Sequence, residues 1–194
     1  MSDFRKITPA RRESVPVYKT HNEYKPLLRE DFHQRCGYCG DHEFFRDTYY
    51  EVDHFVPQKC LENISPTEYS NLVYSCRSCN NSKRAKWPTG NENVHNDGEQ
   101  GFIDPCDDAY AAQFERLADG SIHSITNLGD WMWSALNFGN PSHRVRWKLE
   151  EVIILLKELD EISVDSPEEL RIKDKLNRLY RKLEEQLRGK PNFV

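Results

Sequence analysis

The chain has little of what marks a membrane protein or a generally cationic nucleic-acid binder. Its longest uninterrupted apolar run is Val152 to Leu156, far below the roughly 20 residues that a helix needs to cross a bilayer. The N-terminus shows no positive-then-apolar signal pattern, so the expectation is a cytoplasmic protein with no membrane contact. Basic residues are not in excess: 27 lysines and arginines face 32 acids, for a formal net charge of −5. A uniformly basic, phosphate-binding surface is therefore excluded. Apolar residues are also thin, at 37% against 30% charged, which predicts a modest core. The 22 aromatic residues nevertheless argue for folding rather than disorder. At 194 residues, several full-size domains are excluded.

The acidity is not evenly spread. Basic and acidic residues number 8 and 5 over residues 1–40, 6 and 7 over 41–90, 1 and 9 over 91–130, and 12 and 11 over 131–194. The third stretch alone makes the chain acidic, so any nucleic-acid surface has to be local. Candidates are Arg77, Lys83, Arg84 and Lys86, with Arg5, Lys6, Arg11 and Arg12 near the start. The plain alternative for each group is a solvated face.

What the chain does have is paired cysteines. Cys36-Gly-Tyr-Cys39 and Cys76-Arg-Ser-Cys79 have the two-residue spacing of metal knuckles. Four thiolates complete a tetrahedral shell with no open position, so the expected ion is a structural zinc. An interval of 36 residues separates the knuckles, so the structure that does the work is expected between them. Cys60 and Cys106 lack such partners and read as ordinary thiols.

Within the interval, Thr48 to Pro57 is rich in β-branched and aromatic residues and stops at a proline, as a strand does. Asp53 and His54 lie at its end. Asn71-Leu-Val-Tyr-Ser is a second short strand that runs into the second knuckle and then into the opening of a polar helix. The expected fold is α+β, a strand–strand–helix unit with zinc pinned behind it.

The order Asp53-His54, Asn71, Asn80 and Lys83 between two Cys-x-x-Cys pairs resembles the HNH endonuclease family. The resemblance covers about residues 32 to 87, through "RCGYCG", "DHFVP" and "NLVYSCRSCNNSK". It implies a ββα-metal fold that cuts phosphodiester bonds in DNA, with RNA left open. It also implies catalytic roles for His54, Asn71 and Asn80: His54 activates water, and Asn71 ties down the loop carrying His54. Asp53 and Asn80 would then hold one divalent cation. The position that is histidine in the family's name-giving pattern is Asn80 here, and an amide oxygen favours Mg²⁺ or Mn²⁺. Lys83, one turn after Asn80, is expected to reach the substrate phosphate, with Arg84, Arg77 and Lys86 beside it. The competing reading is a zinc-stabilised nucleic-acid or protein-binding module without turnover.

Beyond that unit, "NENVHNDGEQ" over 91–100 reads as an exposed loop, and Asp104, Asp107 and Asp108 as solvent-facing. Histidines 21, 33, 95, 123 and 143 show no partner pattern. Val145, Leu149, Val152, Leu156 and Leu159 alternate at four and three, and Ile172, Leu176, Leu179, Leu183 and Leu187 nearly so. Ser166-Pro167-Glu168-Glu169 is a start signal, and Gly189 and Pro191 are stops. Two helices in a hairpin follow, with Trp131, Trp133 and Trp147 joining them to the rest. The expected organisation is an N-terminal extension (1–30), the HNH module (31–90), an acidic loop-rich connection (91–130) and a C-terminal helical region (131–194). The "LREDFHQRCGYCG" lead-in and helical tail are similar to effector nucleases of bacterial anti-phage defence systems. That likeness implies a partner ATPase docked on the helical region and activity latent until it binds. Oligomeric state stays open.

Overall fold

A computed structural model of the chain describes residues 4–45, 48–161 and 166–189. Pro191, expected as a helix stop, lies outside them. The described helices are α1 (Lys25–Asp31), α2 (Arg77–Lys83), α3 (Asp108–Ala111), α4 (Asn127–Leu136), α5 (Pro141–Glu161) and α6 (Pro167–Arg188). The strands are β1 (Tyr50–His54), β2 (Leu72–Cys76), β3 (Phe114–Arg116) and β4 (Ile122–Ser124). β1 pairs antiparallel with β2 and β3 with β4, giving two separate hairpin sheets. No described helix is long and apolar enough to cross a membrane.

β1 and β2 meet in the register Tyr50↔Cys76, Val52↔Tyr74 and His54↔Leu72. β2 is buried throughout, which its Leu-Val-Tyr sequence allows. Cys76 both ends that strand and caps the next helix, its Sγ accepting from Cys79 N at 3.5 Å. α2 stops at Arg84, which has φ 48°, in the left-handed region uncommon for a side chain of that size. Arg77 to Lys83 therefore forms two turns laid across β1 and β2.

One apolar cluster runs from Phe4 through the cysteines to Phe138. It takes residues from the N-terminal extension, the module and the stretch 91–130 together. That last stretch is not simply a loop, for it holds α3, β3 and β4, and Phe102, Tyr110, Phe114 and Ile122 are buried in the shared core. Trp131 packs edge-on against Phe102 with centroids 5.0 Å apart, and Trp133 Nε1 donates to Ile122 O at 2.7 Å.

The hairpin of α5 and α6 has a smaller cluster of its own. Leu149, Val152 and Leu183 are buried, with Val145, Leu156, Leu176 and Leu187 around them. Ser166 caps α6 through a reciprocal pair: Glu169 N donates to Ser166 Oγ at 3.2 Å, and Ser166 N to Glu169 Oε2 at 3.0 Å.

Polar bonds fasten this hairpin to the core. Asp41, 4% exposed, receives His143 Nδ1 at 2.7 Å and Arg146 Nη1 at 2.9 Å, both from α5. Arg116 Nη2 stands 3.9 Å from the other Asp41 oxygen. Burial would push the Asp41 carboxyl up, but His143, Arg146 and Arg116 outweigh it and hold it at about 2. Lys6 Nζ adds pairs to Glu150 at 3.3 Å and Glu151 at 2.6 Å. His143, for which the sequence shows no partner pattern, is a buried strut.

Breaking one side of a buried ionic cluster typically costs about 3–5 kcal/mol, because the remaining charge is stranded. Asp41→Asn is expected to lose about that much stability in urea unfolding, with zinc content per chain checked in parallel.

Candidate active site

The four cysteines converge. Cys36 and Cys39 sit in the turn after α1, Cys76 at the end of β2 and Cys79 in the first turn of α2. Their sulfurs all lie within 4.8 Å of one another, and each residue is buried. Cys39 and Cys76 sulfurs are 3.9 Å apart; a tetrahedral ZnS₄ shell with bonds near 2.3 Å needs edges of about 3.8 Å. The set therefore fits a structural zinc with no position left for substrate. The first knuckle is tightly built: Cys36 N donates to Asp41 O and Gly40 N to Cys36 O, at 2.9 and 2.8 Å. A Cβ on Gly37 would meet Phe32 Cε1 at 2.6 Å and Val73 Cγ1 at 2.8 Å, so only glycine fits there.

Zinc fixes where α2 begins, and that sets what faces β1. Glu51 and Asp53 share one side of the strand by alternation, and Asn80 and Lys83 share one side of the helix. The pairing follows: Asn80 Nδ2 donates to Glu51 Oε2 at 2.9 Å, and Lys83 Nζ lies 3.1 Å from Asp53 Oδ2. Tyr38 OH donates to the same Asp53 oxygen at 2.6 Å, and Lys83 Nζ donates to His54 O at 2.7 Å. These bonds engage only Oδ2 of Asp53.

Lys83 corrects an expectation. It does share the Asn80 face, but that face turns inward, and Lys83 is fully buried with its ammonium occupied. Burial pushes its pKa down, with Asp53 opposing. It cannot reach a substrate phosphate. Lys86, Arg84 and Arg77 are exposed, though Lys86 Nζ donates to Ala135 O at 2.9 Å and Arg84 Nε to Asn81 O at 3.0 Å. The N-terminal arginines are also engaged: buried Arg5 on Gly37 O and Pro105 O, Arg11 on Leu72 O and Asp104, and partly exposed Arg12 on Asp31 and Glu30. Asp104 is thus an ion-pair partner rather than a solvent-facing acid.

His54 sits at the end of β1, 8% exposed. Its Nε2 is 2.8 Å from Pro66 O, and because a carbonyl only accepts, Nε2 carries the proton and Nδ1 the lone pair. Gln58 Nε2 lies 3.3 Å from the same nitrogen. Asn71 fixes the chain just beyond: Val56 N donates to its Oδ1 at 2.8 Å, its Nδ2 to Val56 O at 3.1 Å, and Phe55 N to its backbone O at 2.8 Å.

Two neighbours went unread in the sequence. His21 stacks edge-on against His54 with centroids 4.6 Å apart, and burial, then His54, pushes its pKa down. Nothing in the spacing links those two histidines. Glu51, by contrast, was legible, since a carboxylate two residues before Asp53 in a strand must share its face.

Strand, strand and helix around a four-cysteine centre define a ββα-metal module. Residues 36–86 match the model of the HNH endonuclease family. Neither a curated relative nor a solved structure matches the chain.

Two outcomes are expected. Cys76→Ser should lose zinc, measured by metal analysis, and unfold by circular dichroism. Lys83→Met should keep zinc yet fall by about 3 kcal/mol or more in urea unfolding, because Asp53 is left buried without its cation.

Proposed function

We propose that the chain is a metal-dependent endonuclease that hydrolyses phosphodiester bonds in DNA, with His54 as general base. The observation that carries this is the His54–Pro66 bond, which leaves Nδ1 as the proton-accepting atom of a histidine inside an HNH module. His54 Nδ1 takes a proton from water as the water oxygen bonds to phosphorus and the bond from phosphorus to the leaving oxygen breaks. The leaving oxygen takes its proton from solvent. Asn71 acts at a distance, by holding Phe55 and Val56 so that the His54 ring keeps its orientation.

Asp53, through the oxygen not bound to Tyr38 and Lys83, and Asn80 would hold a divalent cation, with Glu51 adjoining through its bond to Asn80. These donors are all hard oxygens, which suit Mg²⁺ or Mn²⁺. When bound, such an ion neutralises charge gathering on the phosphoryl oxygens. Arg77, Arg84 and Lys86, exposed on and just after α2, are the cations left to meet the strand. Leu155, Leu170, Ile172 and Leu179 are exposed on the helical hairpin, which supports a partner docking there.

With supercoiled plasmid, the protein is expected to nick or linearise DNA in Mg²⁺ or Mn²⁺ and not in EDTA. His54→Ala should abolish cleavage while keeping zinc and fold. Cleavage undiminished in that variant would remove His54 as the base, and DNA binding without cleavage by zinc-loaded wild type would make the module a binder.

A further inference from the structure

Glu92 lies beyond the residues matched to the family, in the stretch whose composition reads as an exposed loop. It is only 3% exposed. Its carboxylate accepts from three successive backbone amides: Glu62 N at 2.7 Å, Asn63 N at 3.0 Å and Ile64 N at 3.2 Å. Asn63 Nδ2 adds a fourth bond at 2.8 Å. The Glu62 amide, the Asn63 side chain and the amides after them hold the Glu92 carboxyl down at about 2, so it is ionised at any working pH. Glu92 is itself a fixed post, because Trp87 Nε1 donates to the neighbouring Asn91 O at 2.8 Å.

The segment it grips leads directly to the carbonyl that orients His54. Two residues after Ile64 comes Pro66, whose oxygen accepts from His54 Nε2. On the far side of Pro66 the chain is turned by Thr67 N donating to Ser65 Oγ at 3.2 Å and Glu68 N to Ser65 O at 2.9 Å. Asn71 then closes the circuit onto Val56, next but one to His54. The 61–66 segment has only 3₁₀ turns and bends around it, so an unpinned Pro66 carbonyl could rotate away at little cost.

We propose that Glu92 is a positioning residue for His54: by binding the amides of residues 62 to 64 it holds the Pro66 carbonyl against Nε2 and so keeps the proton off Nδ1. This rests on the reading of His54 as general base, but its structural half can be measured without any activity. No other described carboxylate is bonded to those amides, and Gln58, the other polar group near Nε2, is a donor that would favour the opposite tautomer.

The test uses the full zinc-loaded chain with ¹⁵N-labelled histidine, as wild type, Glu92→Gln and Glu92→Asp. Gln keeps the volume but loses the charge and one acceptor; Asp keeps the charge but falls a methylene short. Long-range ¹H–¹⁵N spectra should show His54 in the Nε2–H form in wild type and a mixture with Nδ1–H in both variants. Plasmid cleavage should lose about 10-fold or more in kcat, with KM within about twofold. Variants that are less stable yet keep the wild-type tautomer and kcat would overturn the proposal, as would an Nδ1–H form in wild type. Should wild type cut nothing in any metal, the endonuclease reading fails alone, and the tautomer spectra still decide the role of Glu92.

Discussion

Four sulfurs brought together from two ends of the module are the constraint on which the rest depends. Cys76 and Cys79 straddle the junction of β2 and α2, so binding them to the Cys36–Cys39 turn fixes where the helix starts and how it lies across β1. Asn80 and Lys83 then have no choice of partners: they fall opposite Glu51 and Asp53. The same centre anchors the far side of the molecule. Arg116 Nη2 donates to Cys39 O at 2.9 Å, and Asp41, two residues on, receives His143 and Arg146 from α5. The metal shell thus sets both the site face of the module and the attachment of the helical hairpin. It does so in a chain whose apolar content alone would give a loosely determined core.

The second means of support is buried charge. Asp41 with Arg146, Arg116 and His143, Asp53 with Lys83 and Tyr38, and Arg5 on two carbonyls are internal polar struts. Such groups add little net stability over apolar replacements of equal volume, yet are costly to break singly. Their effect is to admit one arrangement and penalise others. The cost appears at the surface: Arg5 and Lys83 are buried, and Lys6, Arg11 and Arg12 are tied to carboxylates. A chain of net charge −5 with its local basic residues so committed would hold nucleic acid weakly and with strong salt dependence.

What could be read in the sequence was whatever has a fixed spacing. The knuckles, the β1–β2–α2 order and the Ser166 cap of α6 all rest on separations set by backbone geometry, and they are where the sequence places them. The placement of Lys83 on the Asn80 face was also legible, since three residues make nearly a turn. Its direction was not, because whether that face meets solvent or strand is decided by packing. His143, Glu92 and His21 were illegible for a related reason. Each acts on a residue about 30 or more positions away, and one sequence has no periodicity that spans such a gap. Composition reads "NENVHNDGEQ" as an exposed loop, and it mostly is one, but Glu92 within it is buried against three backbone amides of another loop.

The surroundings of His54 explain why a carbonyl, rather than the adjacent carboxylate, orients it. A carboxylate hydrogen-bonded to imidazole stabilises the protonated ring, which is useful once the proton has arrived but fills the accepting site beforehand. A neutral carbonyl selects a tautomer without adding that charge. Asp53, one residue away, is turned to Tyr38 and Lys83 rather than to the His54 ring. Lys83 joins the two: it neutralises Asp53 and, through His54 O, fixes the backbone from which the ring projects. A residue expected to touch substrate therefore acts from the interior, and under the proposed role of His54 it holds the charge of a carboxylate away from the base.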